Sequence, residues 1–138
     1  MADEYPSDRI KHLEMIQAVV ARLANEAALI RGWALTISSA FFGFAAQSLN
    51  ARVAAVGLLP VFAFWGLNAY YLRAERQYRC LYDRVRTGDS AVAPFSMNAR
   101  GETVDTWLRT IWSVTLWPFY GVIFVVGAVL IAAGICKR

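Results

Sequence analysis

Residues 31–73, RGWALTISSAFFGFAAQSLNARVAAVGLLPVFAFWGLNAYYLR, decide the fold. Two charge-free windows lie inside this stretch, 32–51 and 53–72, with Arg52 alone between them. Each window is 20 residues long. A helix needs about 20 mostly apolar residues to cross the hydrocarbon core of a bilayer, at about 1.5 Å per residue. The polar residues Gln47, Ser48, Asn50 and Arg52 gather where the windows meet. The pattern predicts two membrane-spanning helices (32–50 and 53–72) joined as a hairpin. Composition agrees. Hydrophobic residues make up 58% of the 138, against about 45–50% in an ordinary soluble domain.

Upstream of the hairpin, residues 1–6 form a polar tail ending at Pro6. Asp3, Glu4 and Asp8 give no cationic leader before an apolar run, so the first span is expected to act as its own insertion signal. From Ser7 or Asp8, either of which can cap a helix, an apolar series follows: Leu13, Ile16, Val20, Leu23, Ala27 and Ile30. The 3-4-3-4-3 spacing is a heptad seam. Arg9, Lys11, Glu14, Arg22 and Glu26 fall off it. An amphipathic helix over 8–31 could lie flat on a membrane or stand away from it and pack on other helices. A narrow seam with mixed charge favours packing, because a surface-lying helix carries a wider apolar face with cationic flanks. Arg31 and Trp33 then mark the interface where the chain enters the bilayer.

Downstream, the second window continues a seam through Tyr71, Ala74, Tyr78, Leu81 and Val85, again at 3-4-3-4 spacing. Glu75 and Arg79 add an i,i+4 pair beside it. No helix breaker intervenes before Gly88. The second span is therefore expected to run on through 73–87 as one helix, and the two seams to pack antiparallel as a cytoplasmic stalk. Pro60 predicts a kink or a local adjustment within the span. Residues 88–104 read as loop, with Phe95 and Met97 available to dock it on the stalk. A short helix is expected to start at Thr103 or Asp105. The last charge-free window, 110–136, is 27 residues long, too short to cross twice. Pro118 divides it into an interfacial segment, 105–116, and a third span, 117–136.

Charge sets the expected orientation. Seven arginines (73, 76, 79, 84, 86, 100 and 109) follow the second window, and Arg9, Lys11, Arg22 and Arg31 precede the first, while the hairpin turn carries only Arg52. The positive-inside rule then places the N-terminus and residues 73–109 in the cytoplasm. Lys137 and Arg138 at the far end oppose that bias and can snorkel. The arginines alternate with carboxylates and match no nucleic-acid-recognition motif, which argues against nucleic acid as a partner. The expected partners are the lipid bilayer, further copies of the chain and, alternatively, a cytoplasmic protein.

Little points to catalysis. His12, the only histidine, reads as a solvated or seam-flanking side chain. Cys80 and Cys136 form no disulfide framework and read as buried, inert thiols. No metal spacing, phosphate-cradling glycine loop or cofactor motif is present, and no ionisable residue sits inside a span. The polar residues of the spans, Thr36, Ser39, Gln47 and Asn68, read either as interhelical hydrogen-bonding groups or as the lining of an oligomeric pore, to which Thr110 or Ser113 could add. Ser38, beside Ser39, carries the same two readings, with back-bonding to its own helix as a further outlet for its hydroxyl. Gly121, Gly127 and Gly134 offer close helix approach in the last span, Gly127 and Gly134 on one face and Gly121 with Ala128 on another.

Three strings carry a resemblance: Ile30-Arg31-Gly32-Trp33-Ala34-Leu35-Thr36, Phe64-Trp65-Gly66-Leu67-Asn68-Ala69-Tyr70-Tyr71-Leu72 and Glu75-Arg76-Gln77-Tyr78-Arg79-Cys80-Leu81-Tyr82-Asp83-Arg84-Val85-Arg86. With Phe95-Ser96-Met97 they resemble a family of small uncharacterised bacterial multi-helix membrane proteins. Proteins of that build are similar to the membrane effectors of anti-phage defence, which oligomerise and breach the inner membrane. The resemblance implies an all-α membrane protein that works by assembly, as a pore-forming or membrane-perturbing effector. The alternative is a non-conducting scaffold that recruits a cytoplasmic partner through its stalk.

Overall fold

The computed structural model describes residues 7–48 and 50–136. Residues 1–6, Leu49, Lys137 and Arg138 lie outside the described residues, and with them the expected N-terminal tail and the closing basic pair. Four helices follow in order: α1 (Ser7–Ser48), α2 (Ala51–Thr87), α3 (Trp107–Ile111) and α4 (Trp117–Cys136). No strand occurs among the described residues. Three of the helices, α1, α2 and α4, are long and apolar enough to cross a membrane.

Helix α1 starts at Ser7 with Asp8 in its first turn, where a carboxylate complements the exposed N–H groups. It passes through Gly32 without a break, so the heptad-patterned segment and the first apolar window form one rod of 42 residues. Asn50 turns the chain. Its backbone is extended (φ −96°, ψ 103°) and its Oδ1 accepts the Arg52 N–H at 3.0 Å, which caps α2. Helix α2 then runs through Pro60 for 37 residues. It ends at Gly88, whose φ of 76° is left-handed and whose N–H returns to the carbonyls of Arg84 and Val85. A side chain at Gly88 would also strike Arg9 of α1.

Contacts at both ends show that α2 folds back along α1. Near the turn, Gly57 faces Phe41 and Phe42, and a Cβ at Gly57 would lie 2.7 Å from that of Phe41. At the far end Ile16 and Val20 are buried with Leu81 and Val85. The pair carries two cores. The apolar half buries Ala34, Phe42, Val61 and Ala69 with Leu116, Tyr120 and Ile123. The charged half buries the Ile16 cluster, with Ala99 and Met97 of the loop closing it.

The loop and α3 are tied to α2 by hydrogen bonds as well as packing. Arg73 Nε donates to the Asp105 carbonyl at 3.1 Å. The Trp107 indole donates to the Gly66 carbonyl and that of Trp65 to Ile111, both at 3.2 Å. Helix α3 starts at Trp107, with Thr106 at its N-cap, later than the expected Thr103 or Asp105. The chain then turns through Leu116 into α4, which packs on α2.

His12 departs from expectation. It is 4% exposed, its Nε2 donates to the Ser96 carbonyl at 2.8 Å, and its ring lies 5.9 Å from that of Phe95. The loop folds over this end of α1 and covers it, which no local pattern around His12 encodes. The thiols also differ from expectation. Cys80 is half-buried and Cys136, the last residue of α4, is exposed.

Candidate assembly and pore-lining face

The seam residues come first. Ile16, Val20, Ala27 and Ile30 of α1 are buried, as are Leu81 and Val85 of α2. Leu13, Leu23, Tyr71, Ala74 and Tyr78 are half-buried. Leu13 and Tyr78 pack against the Ile16 cluster. Leu13, Ile16, Val20, Tyr78, Leu81 and Val85 thus meet one another within a single chain.

The polar residues of the apolar half divide into two groups. Ser38 is buried, and its hydroxyl donates to the Ala34 carbonyl at 2.6 Å, within its own helix. Asn68 is 1% exposed. Its amide donates to the Tyr120 hydroxyl at 3.2 Å, and that hydroxyl donates on to the Phe64 carbonyl at 3.2 Å. Asn68 thus joins α2 to α4 as an interhelical hydrogen-bonding group. Its Oδ1, like Ser113 Oγ, is buried without a partner among the described residues. Thr110 is buried and bonded to the Thr106 carbonyl.

Thr36, Ser39 and Gln47 are all exposed. Gly32 and Gly43 are exposed as well, with nothing within 4 Å of where their side chains would be. At about 100° per residue these five positions fall in one stripe about 80° wide. The buried residues of the same segment, Ala34, Ser38, Phe42 and Ala45, point the opposite way, and Ala34 and Phe42 pack there with residues of α2 and α4. Bulky exposed residues, Trp33, Leu35 and Phe44, flank the stripe. Thr36 returns its hydroxyl to the Gly32 carbonyl at 3.0 Å. The stripe is therefore small, polar and uncovered by the rest of the described chain. Gly43 was not among the residues singled out from sequence. The signal was present as its i+4 spacing to Ser39 and Gln47, but which side of α1 faced α2 was needed to read it.

The glycines of α4 face inward. Gly127 and Gly134 are buried, and a Cβ at Gly127 would lie 2.7 Å from Leu58 and 3.0 Å from Phe42. Gly121 is half-buried beside Trp117 of its own helix, and Ala128 is exposed. On the other side of α4 an apolar furrow of about 730 Å³ runs along Phe62, Trp65, Trp112 and Trp117.

No family model, curated protein or solved structure matches this chain.

The charged half carries fixed ion pairs. Arg84 reaches Asp89 at 2.8 Å and Glu102 at 2.7 Å, tying the end of α2 to both ends of the loop. The hydrogen bond it donates to Asp89, and then that to Glu102, hold the Arg84 guanidinium above its ordinary pKa. The Ala91 N–H, and then Arg84, hold the Asp89 carboxyl below its own.

Proposed function

We propose that this chain is a homo-oligomeric, multi-pass protein of the bacterial inner membrane, with its N-terminus in the cytoplasm, that forms or gates a pore. The observation that carries this reading is the stripe of Gly32, Thr36, Ser39, Gly43 and Gln47 on the outer face of α1. Small residues allow helices to approach closely in lipid, and side chains such as Ser and Gln gain from a partner helix or from water there. A ring of α1 helices satisfies both needs, with Ser39 and Gln47 turned to neighbours or to a lumen. Residues 7–31 and 73–87 then stand in the cytoplasm as an antiparallel stalk beneath the ring. The defensive role rests on the resemblance to anti-phage membrane effectors.

The test is Gly43→Leu combined with Ser39→Leu. Both side chains are exposed, so the fold of one chain is expected to survive. The parent should run as a defined oligomer by native mass measurement in detergent and should collapse membrane potential on overexpression. The variant should run as a monomer and leave the potential intact. An unchanged mass with unchanged leakage would refute the assembly face.

The scaffold alternative has one observation in its favour. A mixed polar and apolar hollow of about 400 Å³ opens between the start of α1 and the loop, lined in part by Asp8, His12, Val92 and Phe95. A stoichiometric soluble protein recovered with the parent and lost on Phe95→Asp would favour it.

A further inference from the structure

The region from Arg73 to Arg109 holds seven arginines and five carboxylates. Every one of the five carboxylates is engaged. Glu75 meets Arg79 at 2.7 Å and Asp83 meets Arg86 at 3.6 Å. Asp89 and Glu102 share Arg84. Asp105 takes Arg76 at 3.4 Å and Arg109 at 3.3 Å. Arg73 and Arg100 are left, and neither meets a carboxylate among the described residues.

These two residues are distant in sequence, yet both line one hollow of about 250 Å³. Tyr70, Arg73 and Gln77 form its α2 wall, and Asn98 and Arg100 its loop wall. No carboxylate lines it. The Arg73 Nε bond to the Asp105 carbonyl fixes the stem of that side chain and leaves its Nη atoms for a ligand. The Arg100 N–H donates to Asn98 Oδ1 at 3.2 Å, which shapes the loop wall and leaves the Asn98 amide N–H groups unused by that bond.

We propose that this hollow binds the phosphate of an anionic membrane lipid between the Arg73 and Arg100 guanidinium groups. Guanidinium forks match phosphate oxygens in pairs, and the adjacent Gln77 and Asn98 amides supply further donors. Position selects a lipid over a soluble phosphate. Arg73 is the first charge after the 53–72 window, at the depth of headgroups, and the exposed Tyr70 ring lies one turn toward the span. Basic pockets at that depth bind anionic headgroups. The inference rests on the membrane placement of the 53–72 window and is independent of pore formation.

The experiment is lipid titration of the full chain in detergent, read by native mass spectrometry. Phosphatidylglycerol, phosphatidylcholine and inorganic phosphate are the probes. The parent should retain one phosphatidylglycerol in preference to phosphatidylcholine, and millimolar inorganic phosphate should not displace it. Arg73→Gln with Arg100→Gln should weaken retention about thirtyfold. Arg79→Gln with Arg86→Gln removes the same charge and should change it less than about twofold. Arg100→Gln alone, at an exposed side chain, should weaken it about fivefold. Equal loss in both double variants would mean diffuse attraction and overturn the site. So would displacement by inorganic phosphate, which would make the ligand a soluble phosphate compound. Sedimentation with membranes, measured for every variant, checks the underlying placement separately. A parent that does not sediment refutes the placement itself.

Discussion

The two halves of the α1–α2 pair are built from the same two continuous helices and hold together differently. In the charged half the contact is made by Ile16, Val20, Leu81 and Val85, branched side chains filling a heptad seam. In the apolar half it is made by Ala34, Ala45, Ala54, Gly57 and Ala69, with Phe42 and Val61. The first pattern suits a helix pair in water, where burying large apolar groups contributes about 25 cal/mol per Å². Lipid tails remove that advantage, so helices in a bilayer associate through close backbone approach and interhelical hydrogen bonds. On the proposed membrane placement, Gly57 against Phe41 within the pair and Asn68 bonded to Tyr120 between α2 and α4 would be those two devices. The change from one pattern to the other falls between Ile30 and Ala34 on α1, where the charge-free window begins. The side-chain pattern thus marks the same boundary as the charges do, from independent residues.

Three substitutions or conditions probe this contrast, in decreasing order of effect. Leu81→Asp places an unpaired carboxylate in the seam of the charged half and should destabilise that half by about 3–5 kcal/mol. Residues 7–31 and 73–104 should become open to limited proteolysis while the chain still sediments with membranes. Equal protection in parent and variant would mean that the seam does not hold the half together. Gly57→Leu overpacks the apolar half against Phe41 and should cost about 1–3 kcal/mol, read as a lower midpoint of thermal unfolding in detergent. The proteolytic pattern of the charged half should not change. Acid acts most weakly. Asp89 has its carboxyl pKa lowered in the folded chain, so its contribution is present above the ordinary carboxylate pKa of about 4 and is lost as pH falls through the folded value. Amide protection in residues 88–104, measured against the intrinsic exchange rate at each pH, should therefore fall below about pH 4, and Asp89→Asn should show the lower protection already at pH 7. A loop whose protection is flat from pH 7 to pH 3 would show that the Arg84 pairs do not order it.

Much of the architecture was legible in the sequence. The continuity of the second helix into 73–87 followed from the absence of a breaker before Gly88, and α2 ends at Thr87. The third long helix was bounded by Trp117 before Pro118 and by Cys136, and α4 has those limits. Local chemistry of this kind needs no distant partner. His12 was misread for the opposite reason. Its burial depends on Ser96 and Phe95, more than eighty residues away in the chain, and nothing in helical periodicity records a loop that folds back.

The sequence by itself determined the three long helices, their lengths and the side of each seam that turns inward, because hydrophobic period, caps and breakers act within a few residues. Only the tertiary structure decided what covers each face. It placed Gly127 against Leu58 and Phe42, left the Gly32–Gln47 stripe bare, and brought Arg73 and Arg100 to one hollow. Those outcomes depend on how three rods and a loop share a limited contact area. That is a property of the packed whole, and no local window of residues contains it.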